Sequence, residues 1–194
     1  MATTAEIQAF WPHILPYAQR VAAATGLHTG VIMALTAEET GYGGSYLAQH
    51  CFNMSGIKYV GQPQAQGNSG GFACYAGLGG WASDMIRVLQ LPFYAGVLQT
   101  AGQSAQAQLD ALAASPYDGA PAAQRQQWAD NILAVYNQFN LGQYDSTTST
   151  PSQPKVTVQG NTMTVTAQGP ISGGGAALAL VIVLAVASAL VANA

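Results

Sequence analysis

The sequence predicts an α+β domain, mostly α, with a small β lobe, followed by a linker, a β-hairpin and a C-terminal transmembrane helix. Three observations carry this. Apolar residues recur at helical spacing in segment after segment of the first 142 residues. One stretch there, "IKYVGQPQAQGNSGGFACYAG", has β-prone ends and a polar, glycine-rich middle, which suits a small sheet or hairpin. Beyond Lys155 there is no charged residue at all.

Taken in order, the first helix is expected in "PYAQRVAAATG", beginning at about Pro16, since proline suits a first helical turn, and stopping at Gly26. The second, "TGVIMALTAEETG", sets Val31, Ile32 and Leu35 on one face and ends before Gly41. The third, "LGGWASDMIRVLQL", places Trp81, Met85, Val88 and Leu89 at helical spacing and stops before Pro92. "SAQAQLDALAAS" and "PAAQRQQWADNILAVYNQF" complete the set, the last with a stripe of Trp128, Ile132, Val135 and Phe139. These Trp and Met residues read as core rather than cofactor contacts. Residues 1–142 thus form the globular part, and "QYDSTTSTPSQP" (143–154) reads as a Ser/Thr/Pro linker. Residues 155–168 alternate Val and Thr about a Gly160-Asn161 turn, the pattern of a β-hairpin. A Gly-rich hinge (169–175) leads to "AALALVIVLAVASALVA", 176–192, which is 17 residues without a charge and at the short limit for a membrane span. The N-terminus lacks the basic and apolar regions of a secretory signal.

Composition narrows the function. Net charge is −3, and the five cations (Arg20, Lys58, Arg87, Arg125, Lys155) are scattered, so nucleic acid is not an expected partner. His13, His28 and His50 are isolated and no CxxC occurs, so neither a metal nor an organic cofactor is implied. Cys51 and Cys74 allow one disulfide or two free thiols; joined, they would contribute roughly 3 kcal/mol by loop closure and require an oxidising compartment.

Glu38 and Glu39 stand side by side although only 7% of the chain is charged. Carboxylates at a helix C-terminus oppose the helix dipole, so two in succession need a reason. On a wheel of about 100° per residue, Glu39 falls roughly 35° from the centre of the apolar face and Glu38 roughly 65°. Glu39 therefore faces further inward, at the mouth of a loop. A carboxyl held against apolar walls keeps its proton more strongly, which a general acid for glycoside cleavage requires. Glycines 41, 43 and 44 permit close approach of a ligand. Tyr42, Tyr46, Tyr59 and Tyr75 offer flat faces and hydroxyls suited to sugar rings, and Asn53 and Ser55 offer uncharged hydrogen bonds.

"ETGYGGSYLA" followed by "NMSGIK" resembles the signature of glycoside hydrolase family 73, the bacterial endo-β-N-acetylglucosaminidases. The family pattern runs E-S-G-W-G-x-S-x-L-A and then N-L-F-G-I-K. "FACY" (72–75) is similar to its F-x-x-Y, and "SPYDG…QQWADNILAVYNQF" to its closing segment, with Trp128 where a tyrosine is usual. The similarity spans roughly residues 5–142. It implies a lysozyme-like fold acting on peptidoglycan, with Glu39 as the catalytic acid. It further implies substrate contacts from Tyr42, Gly43, Ser45, Asn53, Gly56, Lys58, Tyr59 and Trp128. The chain departs from the family in one respect: residues 59–75 hold no Asp or Glu, where members often carry a second acid. Asp84 and Asp118 are the nearest substitutes in sequence, and Asp84 has Arg87 at i+3 as a natural partner. A single-acid scheme follows, in which the substrate's 2-acetamido group, or a water held by Tyr75 or Tyr117, completes the step.

The expected function is a membrane-anchored peptidoglycan hydrolase cleaving β-1,4 bonds of glycan strands. A lytic transglycosylase is the enzymatic alternative; a non-catalytic peptidoglycan-binding module or a structural membrane protein is the alternative of another class. The C-terminal helix implies a lipid bilayer as partner and a single-pass location. Two settings stay open: a virion membrane, with capsid proteins as neighbours and wall opening during phage entry or exit, or a bacterial envelope.

Overall fold

The structure, a computed structural model, describes residues 2–117, 120–147, 155–159, 162–166 and 182–185. The chain divides into two compact units, Met1–Thr148 and Ser149–Ala194.

In the first unit, α1 runs over Thr4–Thr25. It begins twelve residues before the expected start at Pro16, because Thr3 and Glu6 form a reciprocal capping box: the Thr3 amide donates to Glu6 Oε2 at 2.6 Å and the Glu6 amide to Thr3 Oγ1 at 3.3 Å. Pro12 and Pro16 lie inside the helix on its exposed side, where water can satisfy the carbonyls they leave unbonded. Phe10, Ile14, Ala18 and Val21 form the buried stripe. Gly26 (φ +74°) closes the helix in the left-handed region, where an added Cβ would meet Ala101 Cβ at 2.7 Å.

Helix α2 (Thr29–Thr40) is the axis of the domain: every residue from Thr29 to Ala37 is buried. A helix buried all round belongs inside a core, and α1, two later helices (Ala105–Ala114 and Ala122–Gln138) and a 3-10 segment (Leu141–Thr147) pack about it. Its first-turn donors are met from far along the chain. The His28 amide donates to Gln108 Oε1 (2.8 Å), and the Gly30 amide to Asp145 Oδ1 (2.7 Å). Asp145 also accepts from the Tyr136 hydroxyl at 2.5 Å, so its carboxylate sits at the positive end of α2. Tyr144 and Asp145, expected in a linker, are therefore packed against the domain.

After α2 the chain passes through Gly41, Tyr42 and Gly43, all at positive φ, into the short helix α3 (Tyr46–Cys51). Strands β1 (Gly67–Ser69) and β2 (Phe72–Cys74) pair antiparallel, Ser69 opposite Phe72. Gly70 and Gly71 both have positive φ (+58° and +88°), the geometry of a two-residue hairpin turn. The small β lobe is therefore present, and a Cys51–Cys74 disulfide ties it to α3. The remaining helices are α4 (Leu78–Leu89), the one-turn α5 (Ala95–Leu98), α6 (Ala105–Ala114) and α7 (Ala122–Gln138). The short pieces α3 and α5 had no periodic signal to betray them.

In the second unit, β3 (Lys155–Gln159) and β4 (Thr162–Thr166) pair antiparallel, Lys155 opposite Thr166. The Gly160-Asn161 turn expected between them lies outside the described residues. Strand β5 (Ile182–Ala185) pairs with β4. These four residues fall within the expected helix 176–192 and are extended, in keeping with the β-branched pair Ile182-Val183. The rest of that stretch, the hinge 169–175 and residues 148–154 lie outside the described residues. No helix among the described residues is long and apolar enough to cross a membrane.

Candidate active site

Glu39 stands at the C-terminal end of α2, half-buried, whereas Glu38 beside it is exposed. The helical period predicted this difference. Glu39 lines a cleft of about 570 Å³ between the α-helical body and the β lobe. Ser55, Gly56, Ile57, Lys58 and Phe72 form one wall; Arg87, Val88, Leu91, Tyr94 and Tyr117 form the other. Glu39 is the one carboxylate among the described lining residues.

Trp128 on α7 donates its indole N–H to Glu39 Oε1 at 2.8 Å. Indole can only donate, so this oxygen acts as acceptor, and a proton carried by the carboxyl is favoured on Oε2. The Trp128 ring stacks on Tyr117, centroids 5.8 Å apart. Tyr94 meets Tyr117 edge-on, centroids 6.0 Å apart. Burial, and then the charge of Glu39, push the Tyr117 hydroxyl well above its ordinary value of 10.0, so it stays a neutral donor. That hydroxyl lies 3.5 Å from Met85 Sδ.

Behind the wall sits a second carboxylate. Asp84 is 0% exposed and accepts from Gln62 Nε2 (2.7 Å), Tyr75 Oη (2.7 Å) and Arg87 Nε (2.6 Å). Three hydrogen bonds fix its carboxyl group in the interior. The i+3 pairing with Arg87 is as the sequence suggested, and Asp84 does not line the cleft. Asp118 lies outside the described residues.

The sequence-derived contact residues divide into two groups. Glu39, Gly56, Lys58 and Tyr117 line the cleft, and Trp128 reaches it through Glu39. Tyr75 does not line it: it is 4% exposed, and its hydroxyl is committed to Asp84, so it cannot hold a water there. Asn53 is 1% exposed and spends its amide on the backbone, donating to Ile57 O and Ala73 O (both 2.9 Å) and accepting from Ile57 N (3.0 Å). It fixes the 53–57 loop to β2 rather than touching a ligand. Ser45 caps α3 by accepting from the Ala48 amide at 3.2 Å. Tyr59 is exposed beside the cleft, its amide bonded to Gly71 O at 2.9 Å. Tyr42 packs edge-on against Phe10, Trp11 and Phe139. With Gly43 it borders a different hollow, of about 850 Å³, against α1 and α3. His50 stacks on Tyr46, and His28 Nδ1 lies 3.1 Å from Asp145. Among the described residues no cluster of His, Cys, Asp and Glu could hold a metal ion.

Arg87, Leu91, Tyr94 and Phe72 were missed as lining residues. Arg87 and Val88 close the last turn of α4 and Leu91 and Tyr94 follow it, and only the tertiary fold turns these residues toward Glu39.

Residues 15–141 match the model of the glucosaminidase family, described as mannosyl-glycoprotein endo-β-N-acetylglucosaminidase. The chain belongs to the glucosaminidase family. This glucosaminidase is accordingly a glycosidase. No curated protein matches it in sequence at a significant level. Its fold is similar to the catalytic domain of the autolysin Auto from Listeria monocytogenes, with TM-score 0.58, 21% identity, and coverage of 75% of this chain and 90% of that one. It is similar to a peptidoglycan hydrolase from Sphingomonas sp. A1, with TM-score 0.56, 24% identity, and coverage of 71% and 92%. It is also similar to a chain of a type VI secretion system effector–immunity complex from Pseudomonas protegens, with TM-score 0.52, 21% identity, and coverage of 71% and 96%.

Proposed function

We propose that this glucosaminidase cleaves β-1,4 bonds in the glycan strands of peptidoglycan, with Glu39 as the general acid. The observation that carries the reading is Glu39 itself: half-buried at a helix end, in a cleft between two lobes, with one oxygen held by the Trp128 N–H. The substrate class is supported by the fold shared with an autolysin and a peptidoglycan hydrolase.

Glu39 protonates the glycosidic oxygen as the bond to the anomeric carbon breaks. No second carboxylate lines the cleft among the described residues. The acetamido oxygen of the same sugar then attacks the anomeric carbon, and water opens the resulting ring; this is the single-acid alternative to a carboxylate pair. Tyr117, which lines the cleft where Tyr75 does not, is the tyrosine we assign to orienting that water. The lytic transglycosylase remains a second reading, favoured by Glu39 being the one carboxylate among the described lining residues.

Digestion of purified peptidoglycan, with the new sugar ends identified by mass spectrometry, tests this. Reducing-end N-acetylglucosamine is expected. Anhydro-sugar ends would move the chain to the transglycosylases. A folded protein that binds sacculi and yields no products would overturn the catalytic reading.

The uncharged stretch after Lys155 supports attachment to a lipid bilayer, in a virion or a bacterial envelope. Co-sedimentation with vesicles is expected of the full chain and not of residues 1–148; equal behaviour of the two would contradict it.

A further inference from the structure

We infer that Arg87 recognises a carboxylate on the substrate, so that the enzyme prefers glycan strands carrying anionic substituents over neutral ones. The inference rests on the reading of the cleft as a peptidoglycan-cleaving site.

The chain has only five cationic side chains, and two of them, Lys58 and Arg87, line the Glu39 cleft. A neutral glycan needs neither. Lys58 is exposed with its ammonium 3.5 Å over the Phe72 ring. Arg87 is held more firmly. Its Nε donates to Asp84 Oδ1 at 2.6 Å, and Asp84 is in turn fixed by Gln62 and Tyr75 in the interior. Only Nε is used in this way; neither terminal guanidinium nitrogen makes a hydrogen bond among the described residues. The side chain of Arg87 is 31% exposed, while that of Asp84 is 0% exposed.

The buried carboxylate therefore acts as a brace. It orients the guanidinium from behind and leaves its outer edge toward the cleft, where two N–H groups match the two oxygens of a carboxylate. A purely structural ion pair would need no exposed edge on the cleft wall. Peptidoglycan supplies such groups in two places: the free carboxylates of the stem peptide, and the lactyl carboxylate that remains when the peptide is removed.

The test compares wild type and Arg87→Gln on native strands and on strands whose carboxylates have been converted to amides. Losing a charge-assisted bond lowers kcat/KM by about tenfold or more. Wild type is expected to lose that factor on amidated strands, mostly through KM. Arg87→Gln is expected to lose it on native strands and to lose nothing further on amidated ones. Arg87→Lys should recover part of the preference for native strands.

If Arg87 merely stabilises Asp84, the variant loses the same factor on both polymers, and that result overturns the inference. Equal wild-type kcat/KM on both polymers overturns it too, and needs no variant to fold. Wild type inactive on both would instead refute the cleavage reading beneath it. Strands stripped of peptide by an amidase separate the sources: an Arg87 effect that persists points to the lactyl carboxylate, and one that vanishes points to the stem peptide.

Discussion

Trp128 and Glu39 lie 89 residues apart in the chain, and the indole N–H of one meets the carboxylate of the other at 2.8 Å. The bond joins α7 to the end of α2 and fixes the orientation of the carboxyl in the cleft. Trp128→Phe keeps the ring against Tyr117 but removes the donor. It should lower kcat by about tenfold, the scale of one hydrogen bond that orients the reacting group, with little loss of fold. Trp128→Tyr restores a donor at the position where the resemblance leads one to expect tyrosine, and should be the more active of the two. Equal activity of all three proteins would mean that the bond is incidental.

Tyr75→Phe separates the buried network from the chemistry. Asp84 would keep Gln62 and Arg87 but lose a partner at full burial, at a cost of about 1–3 kcal/mol of stability. Glycan cleavage should stay within a few-fold of wild type. A folded variant of full stability and no activity would return Tyr75 to the reaction.

The Cys51–Cys74 bond closes 23 residues that include most of the β lobe. Replacing both cysteines by serine should remove roughly 3 kcal/mol. For a domain of this size the midpoint of thermal unfolding should fall by about 6–12 °C. Activity measured well below that midpoint should survive, because Glu39 and Trp128 are positioned by helices. An unchanged midpoint would show that the bridge contributes nothing.

Three tyrosines set the alkaline limit of stability. Tyr75, Tyr117 and Tyr136 are all pushed above the ordinary value of 10.0, by burial first and then by Asp84, Glu39 and Asp145 respectively. The folded chain keeps these protons at a pH where the unfolded chain has released them. Their contribution is therefore whole below about pH 10 and is lost as pH rises beyond it. Tyrosinate absorbance followed alongside unfolding should show a late group that ionises only as the fold is lost. All nine tyrosines titrating together, in a chain that stays folded, would contradict this.

Much of the site was legible because α2 is regular. Val31, Ile32 and Leu35 define its buried direction, and the helical period carries that direction to Glu39 without tertiary information. The β lobe was legible through its glycines. The start of α1 was mistaken because Pro16 was read as a first helical turn, whereas the capping box of Thr3 and Glu6 starts the helix earlier. Asn53 and Tyr75 were read as ligand groups because a glycine-rich, polar segment looks like a binding loop. Their donors go instead to buried backbone and to Asp84, a choice made only by the fold. The wall formed by Arg87, Leu91 and Tyr94 was invisible for a related reason: periodicity shows that a helix has a face, not what the face meets.

The central claim is that Glu39, and not its neighbour, delivers the proton. Release of soluble muropeptides from purified peptidoglycan by wild type, Glu39→Gln and Glu38→Gln tests it most directly, with thermal unfolding as the check on folding. Glu39→Gln should abolish release while unfolding as wild type does, and Glu38→Gln, at an exposed position, should stay within a few-fold of wild type. Full activity in Glu39→Gln, or equal loss from both variants, would contradict the assignment.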